Sequence, residues 1–168
     1  MKPYEMAEEF HQIFDPNIPS EPTAFDAKWA SQRAGFKIEE MIEFLYASTN
    51  GEKTAFQETV SQMHQAIDRA YEKIMQKEKT VEDPLVDEVD ALVDLLYFTY
   101  GSFSLMGVDP EPMMQIVHEA NMGKLFPDGR PHYDPLTNKV LKPANLANDF
   151  APEAKIKAEL VRQKKEKN

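Results

Sequence analysis

Two stretches of the sequence place carboxylates three and four residues apart. The first has the pattern Glu-Glu-x-x-Glu, and the second is an aspartate run within LVDEVDALVDLLYFTY, residues 85–100. Their members are Glu39, Glu40 and Glu43, and Asp87, Asp90 and Asp94. Because residues at these spacings share one face of an α-helix, each stretch is predicted to present its acids together.

Apolar residues flank the aspartates on both sides. On a helix, one side carries Leu85, Val89, Leu92 and Leu96, and the other carries Val86, Val93, Tyr97 and Tyr100. A helix that is apolar over most of its circumference is expected inside a protein. Buried carboxylates are costly unless something positive meets them. The pattern therefore predicts either a wet cleft or a bound cation along this strip.

Carboxylates from two helices that face each other across a bundle would form a cage of oxygen ligands. Mg²⁺ prefers such ligands, and Mn²⁺ is an alternative. Several like charges in a core could not stay ionised without a metal. Taken alone, Glu-Glu-x-x-Glu is most simply explained as a solvent-exposed helix face. That explanation fits the aspartate strip less well, because apolar residues flank it on both sides. Together the two patterns favour a metal site.

Composition limits the classes of protein that fit. The 168 residues carry a formal net charge of −10, with 29 acids against 19 bases, which argues against a nonspecific nucleic-acid binder. No cysteine is present, so disulfides, Cys-based zinc sites and thiol nucleophiles are excluded. The acidic N-terminus does not resemble a signal peptide, and the longest uncharged run, 95–108, is too short to span a bilayer. A cytoplasmic protein without a membrane partner is expected.

The periodicity predicts an all-α fold, a bundle of four to five helices in a single domain over 1–168. Thr23 is the expected N-cap of the second helix, and Asp83-Pro84 starts the central one. The predicted core covers 24–125, followed by an irregular segment over 125–150 and a basic tail over 152–168. The irregular segment leaves room for one short hairpin, and the tail for a polar helix. The predicted helices are 3–14, 24–49, 52–79, the central helix from 84 to Gly101 or Gly107, and 110–123.

The order of these segments resembles the all-α nucleoside triphosphate pyrophosphohydrolases, which include MazG proteins, dimeric dUTPases and phosphoribosyl-ATP pyrophosphohydrolases. An E-E-x-x-E helix is followed by an acidic helix ending D-L-L-Y-x-x-Y-G. The later segments H-E-A-N-M-G-K-L, D-G-R-P and K-V-L-K-P are similar to the MazG-like and phosphoribosyl-ATP-pyrophosphohydrolase-like branch. The resemblance covers roughly residues 25–145.

The second acidic motif departs from the family pattern, which is usually Glu-x-x-Asp. The matching aspartate is Asp94, and the position three before it is Ala91. Asp90 is the stand-in, with Asp87 as a further contributor. Residues 52–79 also form a long insert between the two motifs, which argues against the shortest MazG-type layout.

The resemblance implies metal-dependent hydrolysis between the α and β phosphates of a nucleoside triphosphate, giving the monophosphate and pyrophosphate. Such an enzyme would serve in nucleotide-pool house-cleaning. The residues that would hold Mg²⁺ are Glu40, Glu43, Asp87, Asp90 and Asp94. Glu39 would act as a further ligand or as the base for water, so Glu39 and Glu40 are the candidate catalytic residues. The family also implies a homodimer or homotetramer.

Family analogy makes Asn121 and Lys124 candidate nucleotide contacts. A lysine that complements the dipole of its helix is the alternative for Lys124. Lys37 and Arg33 precede the first acidic motif by about one and two turns, respectively, and are further candidates for the phosphates. Trp29 could stack on a base, although an aromatic residue at helical spacing also fits a core.

A second class of function fits the same residues. A catalytically degenerate helical module would bind a nucleotide or a protein without cleaving it. Ala91, where the family carries Glu, is the feature that supports this alternative. Metal titration with nucleotide-dependent thermal stabilisation separates the two hypotheses.

Overall fold

The computed structural model describes residues 1–15, 17–78, 80–136, 140–144, 146 and 150–166. Within these residues the chain forms six α-helices and no strand. The helices are α1 (Pro3–Phe14), α2 (Ala27–Ser48), α3 (Lys53–Gln76), α4 (Pro84–Met106), α5 (Glu111–Met122) and α6 (Glu153–Glu166). The predicted α class is confirmed. The count of four to five helices is too low because the basic tail forms α6, with Glu153 in its first turn and lysines in its last turn complementing the helix dipole.

The chain divides into two compact units. The middle unit is Pro22–Ala91, which holds α2, α3 and the start of α4. The terminal unit combines Met1–Glu21 with Leu92–Asn168 and holds α1, the rest of α4, α5 and α6. The single domain and its core over 24–125 stay predictions.

Acidic caps start the helices of the middle unit. The Asp26 carboxylate accepts a hydrogen bond from the Trp29 N–H at 2.8 Å, so α2 begins three residues later than a Thr23 cap predicts. Glu52 accepts from the Thr54 and Ala55 N–H groups, and the bonds from Ala55 and Thr54 lower the pKa of Glu52. Asp83 accepts from the Leu85 N–H at 3.0 Å, which confirms the start of α4.

A left-handed turn joins α2 to α3. Asn50 has a φ of 51° and Gly51 a φ of 70°, and the Gly51 N–H donates to the Tyr46 carbonyl at 3.0 Å. This turn ends α2 at Ser48, one residue before the predicted end at 49. The Tyr46 ring meets Phe56 of α3 edge-on, with ring centroids 5.1 Å apart. This contact holds the two helices as a hairpin.

The helices α2, α3 and α4 bury none of their residues within the described part of the chain. On α4, Leu96 is 59% exposed, Tyr97 77% and Phe98 70%, so the prediction of a buried central helix is wrong for the single chain. Gly101 lies inside α4, and Gly107, at φ 67°, follows its end. Among the described helices, none is long and apolar enough by itself to cross a bilayer; only α4 and α5 taken as a pair, bent by 118°, meet that criterion.

The core of the terminal unit lies where α1 and α6 pack against α5. Its buried apolar residues include Met6 and Phe14 of α1 and Met113 of α5. Gln163 of α6, only 7% exposed, accepts from the Asp109 N–H at 2.9 Å and donates to the Asp109 carbonyl at 3.0 Å. These two bonds fix α6 to the start of α5.

In the described part of the irregular segment, one antiparallel bridge joins Tyr133 and Val140. The Leu141 N–H donates to the His132 carbonyl at 2.7 Å. The predicted hairpin of 131–133 against 139–141 is thus reduced to this bridge among the described residues, and Lys139 lies outside them. The Tyr133 hydroxyl donates to the Phe14 carbonyl at 2.8 Å, which ties the segment to the end of α1.

Candidate metal and nucleotide site

The glutamates of the first acidic motif lie in the second half of α2. Glu39, Glu40 and Glu43 are all exposed. None of their carboxylates makes a hydrogen bond or an ion pair within the described part of the chain. Exposed carboxylates without a partner keep all their oxygen atoms available, which is the donor set that Mg²⁺ prefers.

The aspartates of the second motif lie on the first half of α4. Because α4 is one continuous helix, Asp87, Asp90 and Asp94 share one strip of its surface, as their spacing predicts. Asp87 is partly buried, whereas Asp90 and Asp94 are exposed. The carboxylates of Asp90 and Asp94 also make no hydrogen bond or ion pair with other described residues. They supply a second set of oxygen donors.

The predicted cage of carboxylates is not formed among the residues that the structure describes. Within the described residues, no three histidine or carboxylate side chains form a group that could hold a metal ion. The Phe25 N–H donates to the Glu88 carboxylate at 2.9 Å, so α4 starts beside the start of α2. Glu39 lies about 20 Å further along α2. The ligand set therefore stays a prediction.

Cations and aromatic rings precede the glutamates on α2. The Arg33 guanidinium lies 5.5 Å from the centroid of the Phe36 ring, and the Lys37 Nζ donates to the Arg33 carbonyl at 3.2 Å. Burial and the charge of Arg33 lower the pKa of Lys37. Trp29, 42% exposed, lies one turn before Arg33. The helix thus presents an aromatic side chain, two cations and then carboxylates, in that order.

Asn121 and Lys124 are held together at the end of α5. The Lys124 Nζ donates to the Asn121 Oδ1 at 2.7 Å and lies 5.7 Å from the centroid of the Phe10 ring on α1. Both residues belong to the terminal unit. Lys124 lies two residues beyond the last residue of α5, which ends at Met122. The pair that the sequence singled out is therefore a direct contact.

Sequence reasoning did not single out two further contacts of the terminal unit. His118 Nε2 lies 3.0 Å from Glu9 Oε2, between α5 and α1. His132 Nε2 lies 2.8 Å from Asp128 Oδ2, and this bond lowers the pKa of Asp128. The Asp-Gly turn at 128–129, with Gly129 at φ 73°, was the only available sign of the second contact.

Comparison with known proteins identifies the family. The family model of phosphoribosyl-ATP pyrophosphohydrolase matches residues 7–121, more than half of the chain. The structure is similar to the crystal structure of "a putative NTP pyrophosphohydrolase" from Exiguobacterium sp. 255-15, with a TM-score of 0.88 and 36% sequence identity over 100% of this chain and 99% of that one. No curated protein matches the chain. The resemblance expected from the sequence is confirmed, and the chain belongs to the phosphoribosyl-ATP pyrophosphohydrolase family.

Proposed function

We propose that this protein is a Mg²⁺-dependent nucleotide pyrophosphohydrolase of the cytoplasm. It cleaves a nucleoside triphosphate between the α and β phosphates and releases the monophosphate and pyrophosphate. The observation that carries the proposal, beside family membership, is the pair of helices whose carboxylates lack partners: Glu39, Glu40, Glu43, Asp90 and Asp94. Clearance of unwanted nucleotides is the role that fits this activity.

The carboxylates have distinct roles in this proposal. The residues that would hold the metal are Glu40, Glu43, Asp90 and Asp94, with Asp87 as a further contributor. Bound there, Mg²⁺ would neutralise phosphate charge and lower the pKa of its bound water. Glu39 is the carboxylate next to this set and would accept the proton from the attacking water. An acidic chain, with a net charge of −10, needs such a cation before it can bind a polyanion.

The remaining candidates would bind the nucleotide itself. Arg33 and Lys37 on α2, and the Asn121–Lys124 pair in the terminal unit, supply the donors for phosphate oxygens. Trp29 offers an exposed indole face for a base. Together with the metal, these side chains would orient the triphosphate for in-line attack by water.

The proposed enzyme is a homodimer or homotetramer. The middle unit has no buried residue among those the structure describes, so it has no core of its own. Its helices expose large apolar side chains, which include Phe36, Phe44 and Tyr71. Extended apolar surface of this kind marks an interface. A second copy is the occupant we propose, because α2 and α4 carry both the exposed apolar surface and the candidate metal-binding carboxylates.

The test is pyrophosphate release from a panel of NTPs and dNTPs with Mg²⁺, with Mn²⁺ and with EDTA. Glu43→Gln and Asp94→Asn should each lower turnover on the order of a hundredfold or more, because each removes a metal ligand. Glu72→Gln, an exposed carboxylate of α3, is the matched control and should keep wild-type turnover. Circular dichroism checks that every variant stays helical. Retained activity in both site variants would refute the assignment.

A binding module remains the second candidate because of one observation. Ala91 occupies the position where the family usually carries the glutamate of its second motif. Such a module would bind a nucleotide or a protein without cleaving it. Thermal stabilisation by nucleotide that is the same with and without Mg²⁺, in protein that releases no pyrophosphate, would favour this function over hydrolysis.

A further inference from the structure

The first helix contacts the Asn121–Lys124 pair directly. Phe10 of α1 stacks on Phe14, with ring centroids 4.2 Å apart and an interplanar angle of 13°. The Lys124 ammonium lies 5.7 Å from the Phe10 ring centroid, a distance at which a cation is attracted to an aromatic face. The ring is therefore one wall of the space that the ammonium occupies.

The position of Phe10 is fixed by contacts on either side of it. Phe14, 5% exposed, and Met6, 4% exposed, anchor α1 in the core of the terminal unit. Glu9, next to Phe10, pairs with His118 of α5 at 3.0 Å. The Tyr133 hydroxyl holds the Phe14 carbonyl at 2.8 Å. Because α1 is tied to α5 in this way, the Phe10 ring stays beside the end of α5.

The hydrogen bond between Lys124 and Asn121 determines what the pair presents. The Asn121 Oδ1 accepts from the Lys124 Nζ, so the amide NH₂ of Asn121 is not part of this bond. An ammonium and an amide NH₂ are both donors, and together they suit an anion with several oxygen atoms, such as a phosphate. The geometry gives the pair the chemistry of a phosphate-binding group.

We propose that Phe10 is a positioning residue, which holds Lys124 beside Asn121 so that the pair binds the phosphates of the substrate. A lysine side chain loses considerable rotamer entropy when it is ordered, and a ring that orders it beforehand removes part of that loss from the binding step. This inference rests on the proposed function for the identity of the anion. It adds a role for α1, which carries none of the acidic motifs.

The experiment measures two quantities in full-length protein: KM and kcat for the best nucleotide of the panel, and the Kd of inorganic pyrophosphate with Mg²⁺. Phe10→Leu should raise KM and the pyrophosphate Kd about threefold to fivefold with kcat nearly unchanged, because the cation–π contact is lost while the apolar volume stays. Phe10→Tyr keeps the ring and should restore both values. Tyr4→Leu is the matched control on the same helix, since Tyr4 is 73% exposed and bonds Glu8.

A double-mutant cycle separates positioning from general packing. In a Lys124→Met background, Phe10→Leu should have no further effect on KM or on the pyrophosphate Kd. The inference is overturned if the two substitutions have fully additive effects on KM and on the pyrophosphate Kd. It is also overturned if Phe10→Leu binds pyrophosphate like wild type while Lys124→Met binds it weakly. Wild-type pyrophosphate affinity in Lys124→Met overturns it as well. A different outcome separates the two proposals. If the variants change the pyrophosphate Kd as predicted but the wild-type protein hydrolyses no nucleotide, the proposed function is overturned and the positioning role of Phe10 is retained.

Discussion

At position 51 a side chain would meet the hydroxyl of Tyr46, with a Cβ only 2.8 Å from the Tyr46 Oη. Gly51→Ala should lower the free energy of unfolding by about 2 kcal/mol, from the left-handed φ and the close contact combined. Gly129→Ala is the matched control, because Gly129 has a φ of 73° but nothing within 4 Å of its Cβ. It should lose only about 1 kcal/mol. Urea unfolding at one protein concentration measures both, and equal losses would contradict the role of Tyr46.

Individual residues differ in how far the sequence could predict them. The carboxylates of α2 and α4 were predictable because helical spacing alone places them on one face. The contact of Lys124 with Asn121 was predictable because the two residues are only three positions apart at the end of a helix. The contact of Lys124 with Phe10 was not, because these residues lie far apart in the sequence and meet only when α1 packs against α5. No local pattern encodes such a pair.

Helix α6 carries Glu159, whose carboxyl pKa is lowered more than that of the other described carboxylates. The hydrogen bonds from Arg162 and Gln163 lower its pKa to about 2. Arg162 contacts both Glu159 oxygens, at 2.6 and 2.8 Å. Because the pKa of Glu159 is lowered on folding, its contribution to stability is present above the ordinary glutamate pKa and is lost as the pH falls towards about 2.

The consequence for α6 is a testable pH dependence. Glu159→Gln should lose less stability than wild type when the pH drops from about 6 to about 3, and high salt should reduce the difference because the Arg162 side of the pair is half-exposed. Urea unfolding at the two pH values measures it. An identical acid loss in Glu159→Gln and wild type would contradict the stabilising role of the Arg162 bond.

Among the elements, helix starts and stops were the most predictable features. The Asp-Pro start of α4 and the Asn-Gly stop of α2 follow from local chemistry that needs no tertiary contact. The start of α2 was misplaced because Thr23 and Asp26 are both good caps, and only the bond to the Trp29 N–H decides between them. The predicted burial of α4 failed because burial depends on what packs against a helix, which periodicity does not specify.

The whole molecule is expected to exist as an assembly of copies. Sedimentation should show a dimer or tetramer, and the melting temperature should rise with protein concentration. Leu96→Glu on α4, where Leu96 is 59% exposed, should shift the protein towards monomer because it places a charge in the proposed interface. Leu136→Glu, at a position 93% exposed in the irregular segment, should keep the wild-type mass. A helical wild-type protein that stays monomeric at every concentration would contradict the assembly.

The family was predictable from the order of its motifs along the chain, because that order can be read from the sequence without any knowledge of packing. The closure of the metal site was not, since spacing within each helix says nothing about which helices face each other. In the middle unit the bond of Phe25 to Glu88 places the start of α4 about 20 Å from the glutamates of α2. Only tertiary information of this kind shows that, among the described residues, no three histidine or carboxylate side chains come together to hold a metal ion.

The turn that ends α2 also bears on how the protein ages. In an Asn-Gly pair, the glycine nitrogen can attack the carbonyl carbon of the asparagine side chain and expel ammonia, and water then opens the resulting succinimide ring to an aspartate or isoaspartate. In the folded chain the Gly51 N–H donates to the Tyr46 carbonyl at 3.0 Å, and Asn50 and Gly51 are both held at positive φ. While the turn is intact, the Gly51 nitrogen is therefore not free to attack the Asn50 side chain. Deamidation at Asn50 would accumulate in chains that have unfolded, so it would record the unfolding history of a stored sample.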